Sequence, residues 1–106
     1  RLQKNDDMRF EIGSLSFAPA NKTLSEIGSE SMQTLTEKET TILKFLYHAS
    51  PNDISKAQIL AEIWGFKNTV STHTLETHIY RLRQKITQLT DKQVVLTTEK
   101  GYRLAD

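Results

Sequence analysis

From Ser71 to Lys85 the chain reads STHTLETHIYRLRQK, and its apolar residues recur at helical spacing. At 100° per residue, Leu75, Ile79, Leu82, Ile86 and Leu89 fall within roughly 80° of one another. One stripe of this helix must therefore face a core. His73, Thr77, Tyr80, Arg81 and Gln84 project the other way, with Thr74, His78 and Lys85 on one flank and Glu76 and Arg83 on the other. That outer face offers cations, hydroxyls and planar donors, the groups that meet phosphates and base edges. Any surface helix also shows a polar face, so the elements around this one must decide what it is for.

With 106 residues, 37% of them hydrophobic, one compact domain with a modest core is expected. The chain starts on Arg1, and Leu2 is the only apolar side chain among its first seven residues. Residues 1–7 are therefore read as a linker end, and residues 8–106 as the C-terminal domain of a longer protein. From Met8 to Thr34 short alternating pieces (Met8, Phe10, Ile12; Leu15, Phe17; Leu24; Met32) are separated by Gly13-Ser14, Pro19 to Lys22 and Gly28-Ser29. They predict an antiparallel meander of three or four strands.

Thr36-Glu37-Lys38-Glu39 is a capping-box sequence that opens a first helix, with Ile42, Leu43, Leu46 and Tyr47 inward, and Ser50-Pro51-Asn52 ends it. Ser55-Lys56-Ala57-Gln58 reads as a second capping box, starting a short helix that buries Ile59, Leu60, Ile63 and Trp64. Gly65 is placed for a left-handed stop. Ser71 is expected to cap the third helix, which runs from Thr72 to about Leu89. Val94 to Thr97 and Tyr102 to Leu104, joined through Thr98-Glu99-Lys100-Gly101, predict a two-stranded ribbon.

The formal net charge is only +1, but it is unevenly placed. Residues 1–35 carry four basic and five acidic side chains, 36–69 four of each, and 70–106 six basic against four acidic. The excess lies on and after the third helix, in Arg81, Arg83, Lys85, Lys100 and Arg103. The chain has no cysteine, which excludes a disulfide framework, a thiolate nucleophile and cysteine-ligated zinc, and makes the cytoplasm the expected location. No apolar run approaches the roughly 18 residues of a membrane span, and RLQKNDD has no signal-peptide core, so no membrane association is expected. His73 and His78 are about 140° apart on a helix and do not share the metal-binding face of i,i+4 spacing. His48 stands alone, there is no glycine-rich phosphate loop, and Asp6-Asp7 lies in the linker. No catalytic residue, metal or cofactor is expected.

A sheet, three helices and a hairpin, in that order, make an α+β winged helix-turn-helix, in which the third helix fills the major groove and the hairpin reaches the flanking backbone or minor groove. From Leu35 to Leu104 the sequence resembles the C-terminal effector domain of OmpR/PhoB-type response regulators, and the strands before it match that family's N-terminal sheet. The resemblance rests on LTEKE, SKAQILAEIWG, HTLETHIYRLRQKI and GYRL, occurring in order at family spacing. It implies sequence-specific binding of double-stranded DNA and transcriptional regulation within a two-component system. It further implies an upstream receiver domain phosphorylated on an aspartate, tandem dimers on direct repeats, and a loop, here Phe66 to Val70, that touches RNA polymerase.

Carried over by position, the resemblance makes Arg81 a base or phosphate contact, and His78 and Arg83 contacts to the sugar-phosphate backbone. His73 stands where many members have arginine. Tyr80 replaces a common basic residue, and either packs on thymine methyls or donates its hydroxyl to a phosphate. Thr74, Thr77, Gln84 and Lys85 complete the expected contact set on the helix. In the wing, Thr98, Lys100 and Tyr102 are the candidates. Thr98-Glu99-Lys100 stands where others carry arginine and a glycine pair, so Lys100 is the available cation. Tyr102 is first of all a packing residue of the hairpin. The competing class is a winged-helix protein–protein adaptor, which would show an apolar patch on the third helix; only Tyr80 contributes one there. RNA binding would show aromatics arrayed on a sheet, and none is evident.

Overall fold

The computed structural model describes residues 9–65 and 69–105. The linker at 1–7, the inward position of Met8, and Phe66, Lys67 and Asn68 of the loop expected to touch polymerase lie outside them.

The alternating N-terminal segment forms a four-stranded antiparallel meander, β1 (Phe10–Ile12), β2 (Leu15–Ala18), β3 (Thr23–Glu26) and β4 (Met32–Thr34), paired in sequence order. Phe10 pairs with Phe17 and Leu24 with Phe17, so one face is a row of buried large side chains. Pro19–Asn21 makes one 3-10 turn between β2 and β3, where the expected break falls. Phe10 also stacks on Tyr47, rings 4.5 Å apart, which ties this sheet to the first helix.

That helix, α1 (Glu37–Ala49), starts with the full reciprocal box. Thr36 Oγ1 accepts from the Glu39 N–H at 3.1 Å, and Glu39 Oε1 accepts from the Thr36 N–H at 2.9 Å. Ile42, Leu43 and Leu46 are fully buried, while Tyr47 is half-buried. Glu39 is itself only 1% exposed, and the same Oε1 accepts the Lys85 ammonium at 2.7 Å; that ammonium also donates to the Thr34 carbonyl at 2.8 Å. One buried oxygen thus joins the cap of α1 to the end of β4 and to the third helix.

Two residues, Ile54 and Ser55, form a strand the periodicity does not reveal, β5, directly before α2 (Lys56–Trp64). Ser55 accepts from the Gln58 N–H at 3.1 Å, so the second cap forms, but as a single bond and not as the expected reciprocal box. Of the residues expected inside α2, Ile59 and Leu60 are buried whereas Ile63 and Trp64 are half-buried. Gly65 ends α2 at φ 98° and ψ 155°, which is extended, glycine-only backbone and not the left-handed helical stop expected.

The third helix, α3 (Thr72–Thr87), ends two residues earlier than its apolar seam. Leu75, Ile79, Leu82 and Ile86 are all buried, and Leu89 follows them into the core from the turn after the helix. Ser71 holds the N-cap position with extended backbone, but its hydroxyl makes no cap bond; its carbonyl accepts the Thr74 N–H instead. Finally β6 (Val95–Thr97) and β7 (Gly101–Leu104) form the hairpin, and β5 adds to β7 to give a three-stranded sheet in the order β5-β7-β6. Ile54 pairs with Tyr102 and Ser55 with Gly101. A Cβ on Gly101 would run into the Ile54 carbonyl oxygen, so only glycine lets β5 close on the hairpin.

Two outcomes follow from this packing. Gly101→Ala should destabilise the domain by about 1–3 kcal/mol in urea unfolding, because the added methyl has no space to enter. Lys85→Ala should cost about 3 kcal/mol, far more than a surface lysine, since it strands the Glu39 carboxylate in the core; a loss below 0.5 kcal/mol would show the pair to be idle.

Candidate functional site

Because the seam of α3 is turned inward against α1 and α2, the opposite face is presented to solvent as one row. His73, Tyr80, Arg81 and Gln84 are exposed, with Tyr80 at 62%. Thr77 lies in the same row, its hydroxyl donating to the His73 carbonyl one turn back at 3.0 Å. Among the described residues Arg81 has no hydrogen-bond or ion-pair partner, so the five N–H donors of its exposed side chain are not engaged within the fold. Thr74 and His78 flank the row, half-buried, and the His78 ring leans on Trp64 at 5.4 Å. Trp64 in turn lies under the Lys38 ammonium, 5.1 Å from the ring.

Four residues expected at the same surface have internal partners. Lys85 is held by Glu39 and Thr34, as described, and does not join the outward row. Arg83 donates from Nε to the Val95 carbonyl at 3.0 Å and from Nη2 to Thr97 Oγ1 at 2.6 Å. Thr98 is folded into the hairpin turn, its hydroxyl accepting the Gly101 N–H at 3.0 Å while its own N–H donates to the Gly101 carbonyl. Tyr102 is 3% exposed and its ring belongs to the core. Lys100 stands exposed at the hairpin tip beside Glu99. Lys56 carries no signal of this role in the sequence. It occupies the first position of α2, where no periodicity marks it, and donates to Glu76 Oε2 of α3 at 2.8 Å.

This last contact sets the local charge. The hydrogen bond from Lys56, then its charge, holds the Glu76 carboxyl below its ordinary pKa, and the same bond raises that of the Lys56 ammonium. Glu76 thereby stays ionised, with its charge balanced by Lys56 on the flank of the outward row. Burial pushes the Tyr102 hydroxyl above the ordinary tyrosine value, so it stays a neutral donor. Among the described residues no cluster of three His, Asp or Glu side chains is placed to hold a metal ion, and no helix is long and apolar enough to cross a membrane.

Three helices with a solvent-facing third one, beside a β-hairpin, define a winged-helix DNA-binding domain. The fold is shared with the DNA-binding domain of CpxR from E. coli, at a TM-score of 0.73 and 25% identity over 92% of this chain and 96% of that one. It is shared equally with the Klebsiella pneumoniae RstA DNA-binding domain, solved in complex with the RstA box, at 0.73 and 21% identity over 92% and 96%. In sequence, the chain is 34% identical to the heme response regulator HssR of Staphylococcus epidermidis over 98% of its own length. It spans 46% of that relative. The model of the family described as transcriptional regulatory protein, C terminal, matches residues 30–104. The chain belongs to that family, as an effector domain of the OmpR/PhoB type: a DNA-binding regulator of transcription and not an enzyme.

The Lys56–Glu76 bond carries a pH signature. A carboxylate with a depressed pKa contributes stability above its unfolded value and loses it as pH falls through the folded one. In a carboxyl-carbon NMR titration Glu76 should titrate below the ordinary glutamate value, and Lys56→Met should move its midpoint upward; an unmoved midpoint would show the contact absent in solution.

Proposed function

We propose that α3 enters the major groove with Arg81, Thr77, Gln84 and Tyr80 at base edges, and that this row sets the target sequence. The observation that carries the reading is the exposed Arg81 guanidinium, free of internal partners among the described residues and flanked by Thr77, Tyr80 and Gln84 on adjacent turns. Arginine's planar fork suits the two acceptors of guanine. His73, Thr74 and His78 stand toward the backbone, and Lys100 supplies the cation of the wing. His73 brings hydrogen bonding without a full charge at neutral pH. Tyr80 brings an apolar ring where a thymine methyl can pack.

The same reading includes tandem binding to direct repeats, a receiver domain upstream in the full-length protein, cytoplasmic location, and contact between RNA polymerase and the loop from Phe66 to Val70. Support for the upstream domain comes from length, since the chain accounts for 46% of a response regulator to which it is similar. Tandem occupancy is favoured by the small size of the outward row, which one copy can apply to only a few base pairs.

Selection of bound duplexes from a random pool, then titration at two salt concentrations, should enrich a direct repeat whose affinity falls with salt. On the selected site Arg81→Ala should cost about 1–3 kcal/mol and relax the preference at one base pair. Equal losses on the selected and a scrambled duplex would remove Arg81 from base recognition.

A further inference from the structure

The wing sheet is attached to the body at two edges by different means. At one edge β5 pairs with β7 and leads straight into α2. At the other, β6 has no strand beyond it among the described residues, and its link to α3 runs through Arg83. The Arg83 Nε and Nη2 donate to Val95 and Thr97, both on β6, at 3.0 and 2.6 Å. Its guanidinium carbon lies 5.6 Å from the centre of the Tyr102 ring on β7. The Lys56 ammonium lies 5.8 Å from the same ring and is bonded to Glu76 of α3. The contacts close a circuit from α3 through β6, β7 and α2 back to α3.

We propose that Arg83 is a positioning residue: it fixes the wing against α3 so that the hairpin tip and the outward row meet one duplex together. This rests on the reading that α3 and the wing both touch DNA. The chemistry favours geometry over charge. Two acceptors on one strand, a carbonyl and a hydroxyl two residues apart, are met by two nitrogens of one rigid plane, which lysine cannot reproduce although it keeps the charge. A residue serving only as a phosphate cation would tolerate lysine.

The test compares the wild-type chain with Arg83→Lys, Lys100→Ala and the double variant on the selected duplex, by binding titration and hydroxyl-radical footprinting. Amide hydrogen exchange is followed in the free proteins. Arg83→Lys should lose about tenfold in affinity, keep the protection under α3, and lose the flanking protection under the wing. Lys100→Ala should weaken the wild type but add nothing in the Arg83→Lys background. Exchange at Thr98 and Gly101 should quicken while α1 amides stay unchanged. Full rescue by lysine, or losses that multiply independently, would overturn the proposal in favour of a phosphate contact. Loss of both protections with quickened exchange throughout would overturn it in favour of a general folding role. Should the wild type select no duplex, the groove reading fails, and unchanged wing exchange in Arg83→Lys would separately overturn the clamp.

Discussion

The orientation of everything outside the core depends on one buried oxygen, Glu39 Oε1, shared between the Thr36 N–H and the Lys85 ammonium. An apolar seam tells α3 which side to bury but tolerates small rotations, since hydrocarbon contact has little directional preference. The ion pair adds a limit, because an α3 rotated beyond the reach of the Lys85 side chain would leave a carboxylate in the core without its cation. Buried pairs of this sort add modest net stability over an apolar substitute. Lys85, bonded to Glu39 and Thr34, ties to the body the same helix that carries Tyr80 and Arg81 a turn earlier.

The parts of the fold that the sequence announces are those with a repeating or locally complete pattern. The α3 seam holds from Leu75 to Leu89, the box at Thr36 closes within four residues, and the meander and hairpin show their turns. What stays hidden is what needs a distant partner. Ile54 and Ser55 are too few to show alternation, and their strand exists because β7 passes beside them. The same strand explains why Tyr102 is core. It also gives Ser55 a place in a ladder as well as a cap, which accompanies the single cap bond to Gln58.

The outward row was legible as a face, but the employment of its flanks was not. A lysine or arginine on a helix flank has the same spacing whether it meets a phosphate or a neighbour within the fold. Lys85 and Arg83 both turn out to have such neighbours, and Lys56, which no motif singles out, balances Glu76. Of the cations in the last third of the chain, Arg81 and Lys100 are therefore the ones left on the outward row of α3 and the hairpin tip. A near-neutral domain thus settles several of its charges internally and leaves a few exposed.

Gly101 divides the hairpin into a foot and a tip. Below it, the missing side chain lets β5 lie against the hairpin and joins it to α2; above it, residues 98–100 touch little of the body. Sequence in the tip is thus mechanically insulated from the core. Glu99 and Lys100 are free to be exchanged or recharged, while Thr98, bonded twice to Gly101, and the frame that carries them keep their shape.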